Sequence, residues 1–83
     1  MLTGVQIRTA RAALRWSADI LAEKAIVASK TIRRIEMTDG VPPTSAQTIL
    51  RIQNVFETAG IEFIGTPDDA PGIRIHTRTP QAR

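Results

Sequence analysis

Three cationic side chains, Lys30, Arg33 and Arg34, lie within five residues of one another. Lysine and arginine carry a positive charge at neutral pH and donate several hydrogen bonds each. They therefore bind carboxylates, phosphates and the acceptor atoms of nucleic-acid bases. The neighbouring Ser29 and Thr31 add hydroxyl groups, which can both donate and accept. This combination indicates a surface that binds a polyanion.

The net charge supports that interpretation through its distribution rather than its size. The 83 residues hold eleven Lys and Arg against eight Asp and Glu, a formal charge of only +3. Residues 1–36 hold seven of the cations and three of the anions, which gives +4, whereas residues 37–83 hold four and five, which gives −1. The positive excess therefore belongs to the segment that contains the three cations.

The composition argues against an enzyme. The chain has one histidine, no cysteine and no tyrosine, so most acid–base and nucleophilic catalytic sets cannot be assembled from it. Without cysteine, disulfides, zinc knuckles and iron–sulfur clusters are excluded as well, and no cofactor is expected. We expect the single histidine, His76, to be a surface residue with Glu62 as its cross-strand partner.

The length is sufficient for one domain and too short for two. No apolar run approaches the roughly 18 residues that a membrane span needs, so no membrane partner is expected. The first six residues lack the basic and then apolar layout of a signal peptide, and the expected location is the cytoplasm. A core of this size is only marginally stable, which favours self-association.

Caps and apolar spacing predict four helices. Their approximate ranges are Gly4–Arg15, two turns after a cap at Ser17, Ser29–Met37, and Thr44–Thr58. The first and last begin at capping boxes, Thr3 with Gln6 and Thr44 with Gln47. Gly60 stands where a left-handed residue would end the last helix.

After Gly60 the apolar period changes to two, which is typical of strands. Two short runs, Ile61–Ile64 and Ile73–His76, predict a β-hairpin whose tip is a long acidic loop from Gly65 to Gly72. A hairpin presents strand edges that a second copy could extend. Its apolar residues are therefore candidates for a protein interface: Ile61, Phe63, Ile73 and Ile75.

Two short helices joined by a tight turn, with the second one basic, form the helix-turn-helix pattern. Residues 16–36, WSADILAEKAIVASKTIRRIE, resemble the lambda-repressor/Cro-type (Xre-like) helix-turn-helix of bacterial transcription regulators. The continuation is similar to a small bacterial subgroup in which the last helix leads into a β-hairpin. That likeness is carried by residues 39–42 (DGVP), 59–64 (AGIEFI) and 71–75 (PGIRI).

The resemblance implies a mainly α fold, a four-helix lambda-repressor-like helix-turn-helix domain over residues 1–60. We expect the β-hairpin that follows, residues 61–77, to mediate dimerisation through its strand edges, and residues 78–83 to form a flexible tail. The resemblance implies a sequence-specific DNA-binding regulator, a repressor, that acts as a homodimer on a pseudo-palindromic operator in double-stranded DNA. Such a protein would reside in the bacterial cytoplasm and at the nucleoid when bound.

By the same resemblance, the positions that face DNA are Ser29, Lys30, Thr31, Arg33 and Arg34. Thr44 and Ser45 are further DNA-binding candidates, because they open the next helix, whose free amides can hold a phosphate. Lys30 and Arg33 are three residues apart and share a helix face, so they are our candidates for base edges. Arg34 is rotated away and is expected to contact phosphate, as are the free amides where the fourth helix begins. In the family, an arginine of the first helix braces the glutamate that ends the third, here Arg11 and Glu36.

Four positions depart from the usual family pattern toward lower polarity: Ala18, Ile20, Ile26 and Ala28. Because a β-branched residue is unfavourable in the left-handed conformation, Ile26 predicts a longer turn or another backbone conformation there. Two explanations stay open for the two isoleucines. Either the tail, Trp16 or a second subunit covers them in a working DNA reader, or they form an exposed patch. In the second case the protein is an interaction module, such as an antitoxin or antiactivator, with a protein partner.

Overall fold

The computed structural model describes residues 2–77, and these form four helices followed by one antiparallel hairpin. The elements are α1 Gly4–Leu14, α2 Ala18–Ala25, α3 Ser29–Glu36, α4 Ala46–Thr58, β1 Ile61–Thr66 and β2 Asp69–Ile75. The mainly helical architecture predicted from the sequence is therefore confirmed. No helix in the described part is long and apolar enough to cross a membrane. The predicted tail, residues 78–83, lies outside the described residues.

The core lies where all four helices meet the first strand. Phe56 of α4 is at its centre, with the Trp16 ring stacked on it at a centroid distance of 5.7 Å and the Phe63 ring edge-on at 5.8 Å. The remaining buried apolar side chains come from Leu2, which precedes α1, from every helix and from β1. Those of the helices and β1 are Ile7, Ala10, Leu21, Ala22, Ala25, Ile32, Ile35, Ile49, Ile52 and Ile61. Residues at helical spacing thus supply most of the buried surface, as the apolar pattern predicted.

Side-chain caps begin three of the four helices. The predicted capping box of α1 is present, because the Thr3 hydroxyl accepts from the Gln6 amide and the Gln6 carboxamide accepts from the Thr3 amide. Ser17 caps α2 as expected. The predicted capping box at Thr44 is wrong: Ser45 is the cap of α4, and its hydroxyl accepts from the amide of Thr48 at 3.1 Å. Both are good cap residues, and the helix begins one residue later than predicted.

Two helices end on a non-glycine residue in the left-handed conformation. Arg15 follows α1 with φ 59°, and Ile26 follows α2 with φ 56°. At the second site the amide of Val27 donates to the carbonyl of Ala22 at 2.9 Å and that of Ile26 to Glu23 at 3.3 Å, which is a Schellman motif. The expectation of a longer or different turn at Ile26 is therefore wrong. The two hydrogen bonds hold the chain in this conformation despite the branched side chain.

The hairpin is tighter than the sequence suggested. Its register pairs Ile61 with Ile75 and continues to Thr66 opposite Asp69, so the prediction of a loop from Gly65 to Gly72 is wrong. Pairing persists because a bulge absorbs one extra residue of β2, where Ala70 has φ 53°. Gly65 makes the close approach possible, since a Cβ on it would collide with the Ala70 carbonyl.

The first turn of α1 joins the hairpin and α3 into one unit. The Gln6 carboxamide nitrogen donates to the carbonyls of Ile64 at 3.1 Å and Gly72 at 2.9 Å, one on each strand. Gly4 lies so close to the end of α3 that a Cβ on it would overlap the Thr38 carbonyl oxygen and lie 2.6 Å from that of Ile35. The absence of a side chain at Gly4 is therefore a condition for this packing.

Replacing Gly4 by alanine should destabilise the protein by about 3 kcal/mol or more, because the added methyl group meets backbone atoms that cannot move aside alone. The matched control is Gly40→Ala in the adjoining loop, where a Cβ meets nothing within 4 Å. That variant should remain within about 1 kcal/mol of the original chain. Urea denaturation followed by circular dichroism measures both, and equal midpoints would contradict the proposed close packing.

Candidate nucleic-acid interface

Helix α3 has one buried face and one exposed face. Ile32 and Ile35 are fully buried against the core, whereas Lys30, Arg33 and Arg34 are exposed. The helix spans only eight residues and is preceded by a short connection from α2. Its exposed face lies beside the start of α2, because Arg33 contacts Asp19 there. The structure therefore brings the three predicted cations to the surface of one helix.

The guanidinium of Arg33 is engaged in an ion pair within the protein. Its Nη2 donates to Oδ1 of Asp19 in α2 at 2.9 Å, and both side chains are mostly exposed. A hydrogen bond from Ser29 and then the positive charge of Arg33 hold the pKa of the Asp19 carboxyl below its usual value. Asp19 therefore stays ionised beside Arg33.

Lys30 and Arg34 lie on a different strip of α3 from Ser29 and Arg33. They are four residues apart and so neighbours along the helix surface. Neither takes part in any ion pair among the described residues. The sequence pattern predicts base contacts for Lys30 and Arg33 and a phosphate contact for Arg34. The ion pairing divides the three cations differently, with Arg33 engaged and the other two available.

The start of α4 offers further donors. Thr44 and Ser45 precede it, and Ser45 satisfies only the amide of Thr48. No hydrogen bond among the described residues uses the amides of Ala46 and Gln47, which are two of the four that a helix leaves unpaired at its N-terminus. The first amides of α1 differ, because they donate to the carbonyls of the loop residues Gly40 and Asp39.

Two arginines of α1 hold the C-terminal end of α3. Arg11 makes a two-pronged ion pair with Glu36, with Nε to Oε2 and Nη2 to Oε1 both at 2.8 Å, and its third nitrogen donates to the Trp16 carbonyl. The Glu36 side chain is only 8 % exposed. Hydrogen bonding to this carboxylate raises the pKa of the Arg11 guanidinium. Arg8 adds hydrogen bonds to the Glu36 carbonyl and to the Asp39 carboxylate.

The partners of Arg8 and Arg33 were not found from the sequence. Arg33 and Asp19 are fourteen residues apart, and Arg8 and Asp39 thirty-one, so no helical or strand spacing connects them. The only usable signal was composition, since Asp19 is one of three acidic residues in the basic N-terminal segment. An isolated acidic residue among cations is a candidate ion-pair partner.

Three of the four positions that depart from the expected pattern lie at the surface, Ala28 among them. Ile26 is 80 % exposed and Ile20 is 39 % exposed, whereas Ala18 packs partly against the core. The Trp16 ring stacks on Phe56, and the Lys24 ammonium lies over it at 5.1 Å. Ala28 precedes α3 without a side-chain cap, and Ser29 does not replace it as the cap.

The apolar residues of the hairpin divide between the core and the surface. Ile61 is 2 % exposed, and Phe63 and Ile73 pack against the core, which leaves Ile75 as the exposed one at 56 %. On the opposite face, Glu62 accepts hydrogen bonds from His76 at 2.8 Å and Arg74 at 3.3 Å. The hydrogen bond with His76 is the main cause that lowers the pKa of the Glu62 carboxyl, and the charge of Arg74 adds to it.

Comparison of the chain with known protein families, with curated proteins and with solved structures finds no match. The geometry of the described residues is therefore the basis for a functional assignment. It consists of hydrogen-bond donors and positive charge on the exposed face of α3, with two free amides at the start of α4. Groups of this kind bind oxygen and nitrogen acceptors of an anionic ligand.

Replacing Arg11 by methionine should reduce the free energy of unfolding by about 3 kcal/mol, because it leaves the buried Glu36 carboxylate without its partner. Arg34→Met is the matched control, since it removes an exposed arginine that makes no described ion pair. It should change stability by less than about 0.5 kcal/mol. Urea titrations of both variants measure the difference, and a similar loss in each would rule out a stabilising role for the pair.

Proposed function

We propose that this protein is a sequence-specific DNA-binding regulator, a repressor, in which α2 and α3 form a helix-turn-helix unit. In this proposal α3 enters the major groove of a duplex, which is about 12 Å wide and accommodates a helix. The protein would act at the nucleoid of a bacterial cytoplasm. Two eight-residue helices connected by a tight left-handed turn support this assignment, as does the exposed basic face of the second.

The observation that carries the proposal is the contrast between the cations of α1 and those of α3. Arg8 and Arg11 are engaged with Glu36 and the loop after α3, so they serve the fold. Lys30 and Arg34 make no ion pair among the described residues, and they lie together on the exposed face of α3. A strip of positive charge without an intramolecular partner is suited to an anionic ligand.

The start of α4 supports the same ligand. A helix N-terminus with unpaired amides attracts phosphate through hydrogen bonds and through the positive end of the helix dipole. The amides of Ala46 and Gln47, with the hydroxyls of Thr44 and Ser45 beside them, would hold one phosphate of the backbone. Contacts of this kind fix the orientation of a protein on DNA, while base edges supply the sequence information.

A homodimer on a pseudo-palindromic operator belongs to the same proposal. Two units that read successive major grooves place their half-sites about 34 Å apart, one helical turn. The hairpin supports pairing with a second copy, because it is a two-stranded sheet with open edges and Ile75 is exposed beside the core.

Selection from a random duplex library, followed by binding measurements on the selected site, tests this function. Arg33→Ala should weaken specific binding by about 1–3 kcal/mol and relax the preference at one base position. Arg34→Ala should weaken all sequences alike and reduce the slope of log affinity against log salt concentration by about 0.9. A chain that binds the selected and a scrambled duplex equally would contradict the proposal.

The exposure of Ile20 and Ile26 favours a second candidate, a protein-interaction module such as an antitoxin or antiactivator. An apolar side chain that is 80 % exposed costs free energy in water and is typical of contact surfaces when it has apolar neighbours. Ile20→Glu distinguishes the two functions. Under the DNA-binding proposal it should leave the specificity ratio of the selected duplex unchanged within about twofold. Loss of a protein partner with unaltered DNA binding would support the second candidate.

A further inference from the structure

We propose that Asp19 determines the sequence specificity of this surface by holding Arg33 in position to read a guanine. Asp19 would be a positioning residue that acts through Arg33, and the base pair opposite would be G·C. This inference rests on the proposed DNA-binding function and adds the identity of one base and the residue that selects it.

The geometry connects the carboxylate of Asp19 to α3 through Arg33. Oδ1 of Asp19 accepts from Nη2 of Arg33 at 2.9 Å. Asp19 itself is in the first turn of α2, two residues after the Ser17 cap, so the helix holds its backbone in place. An arginine held at one nitrogen by an anchored carboxylate samples fewer rotamers than a solvated one.

The remaining donors of Arg33 suit guanine. A guanidinium has five N–H groups in a planar fork, and its two-donor edges are formed by Nη1 with Nη2 and by Nε with Nη2. Whichever hydrogen of Nη2 Asp19 accepts, one of these edges stays intact. An intact edge can donate to O6 and N7 of guanine at once, which is the commonest specific contact of arginine in the major groove.

The charge of Asp19 also disfavours contacts of this site with the phosphates of the DNA backbone. The Asp19–Arg33 pair is neutral overall, so it gains little from the negative phosphates, and the carboxylate repels a phosphate that approaches closely. Lys30 and Arg34, which lack such a partner, keep their full charge for the duplex. Asp19 therefore reduces indiscriminate binding through Arg33 while leaving its base-reading edge available.

The pair contributes little to stability, which makes it accessible to substitution. Both side chains are mostly exposed, and ion pairs in that setting have small effects on folding. Glu23, an exposed carboxylate on the same helix that takes part in no ion pair among the described residues, provides a control with the same change in charge. Circular dichroism and urea midpoints of Asp19→Asn, Asp19→Ala and Glu23→Gln verify that each variant is folded.

The experiment measures the affinity of each variant for the selected duplex and for duplexes changed at each base pair. Asp19→Ala should lower discrimination at one G·C pair by about tenfold, and Asp19→Asn by less, because its carbonyl can still accept from Arg33. Both should bind scrambled DNA more tightly and give a steeper salt dependence. Glu23→Gln should also tighten binding slightly through its charge but keep the full discrimination. In an Arg33→Ala background, Asp19→Ala should have no further effect on discrimination.

Each outcome bears on one of the two claims. Specific binding by the original chain, with unchanged discrimination in Asp19→Ala or an equal loss in Glu23→Gln, would overturn the role of Asp19 and leave DNA binding intact. A preferred base other than guanine at the Arg33-dependent position would overturn it too. Equal binding of the original chain to selected and scrambled duplexes would overturn both the inference and the function on which it rests.

Discussion

The ion pair between Arg11 and Glu36 is the contact on which the position of α3 depends. An isolated helix of eight residues is unstable in water, since about 12 to 15 residues are needed even for favourable sequences. Helix α3 also lacks a side-chain cap at Ala28. Its stability must come from the burial of Ile32 and Ile35 and from the bonds that Arg11 makes at its last residue. The exposed face is therefore oriented by contacts on the opposite side of the helix.

Helix α1 also fixes the position of the hairpin. One turn of α1 supplies the capping box, the close contact of Gly4 with α3, and the Gln6 hydrogen bonds to both strands. Buried polar groups are costly unless they are paired, and Gln6 is fully used at this junction. The hairpin is thus fixed relative to α3 through a single helix, although the two elements are distant in sequence.

Local signals explain which parts of this arrangement could be predicted. Caps and apolar periods act over three or four residues, so the helices, the capping box at Thr3 and the helix end at Gly60 followed from the sequence. The hairpin tip did not, because its pairing depends on a bulge at Ala70 and a close approach at Gly65. The Asp19–Arg33 pair could not be predicted either, since it joins two helices without a fixed sequence spacing. The exposed cations of α3 were predicted, but their division into engaged and available groups required the structure.

The division of the α3 cations into engaged and available groups follows from the charged contacts that other helices make with α3. An anion from α2, Asp19, is bonded to Arg33 on its exposed face. Two cations from α1, Arg8 and Arg11, are bonded to its C-terminal residue, where the dipole is negative. Helices α1 and α2 thus both bond to α3. The side chains along the exposed strip, Lys30 and Arg34, are not needed for these contacts, and their charge remains available to a ligand.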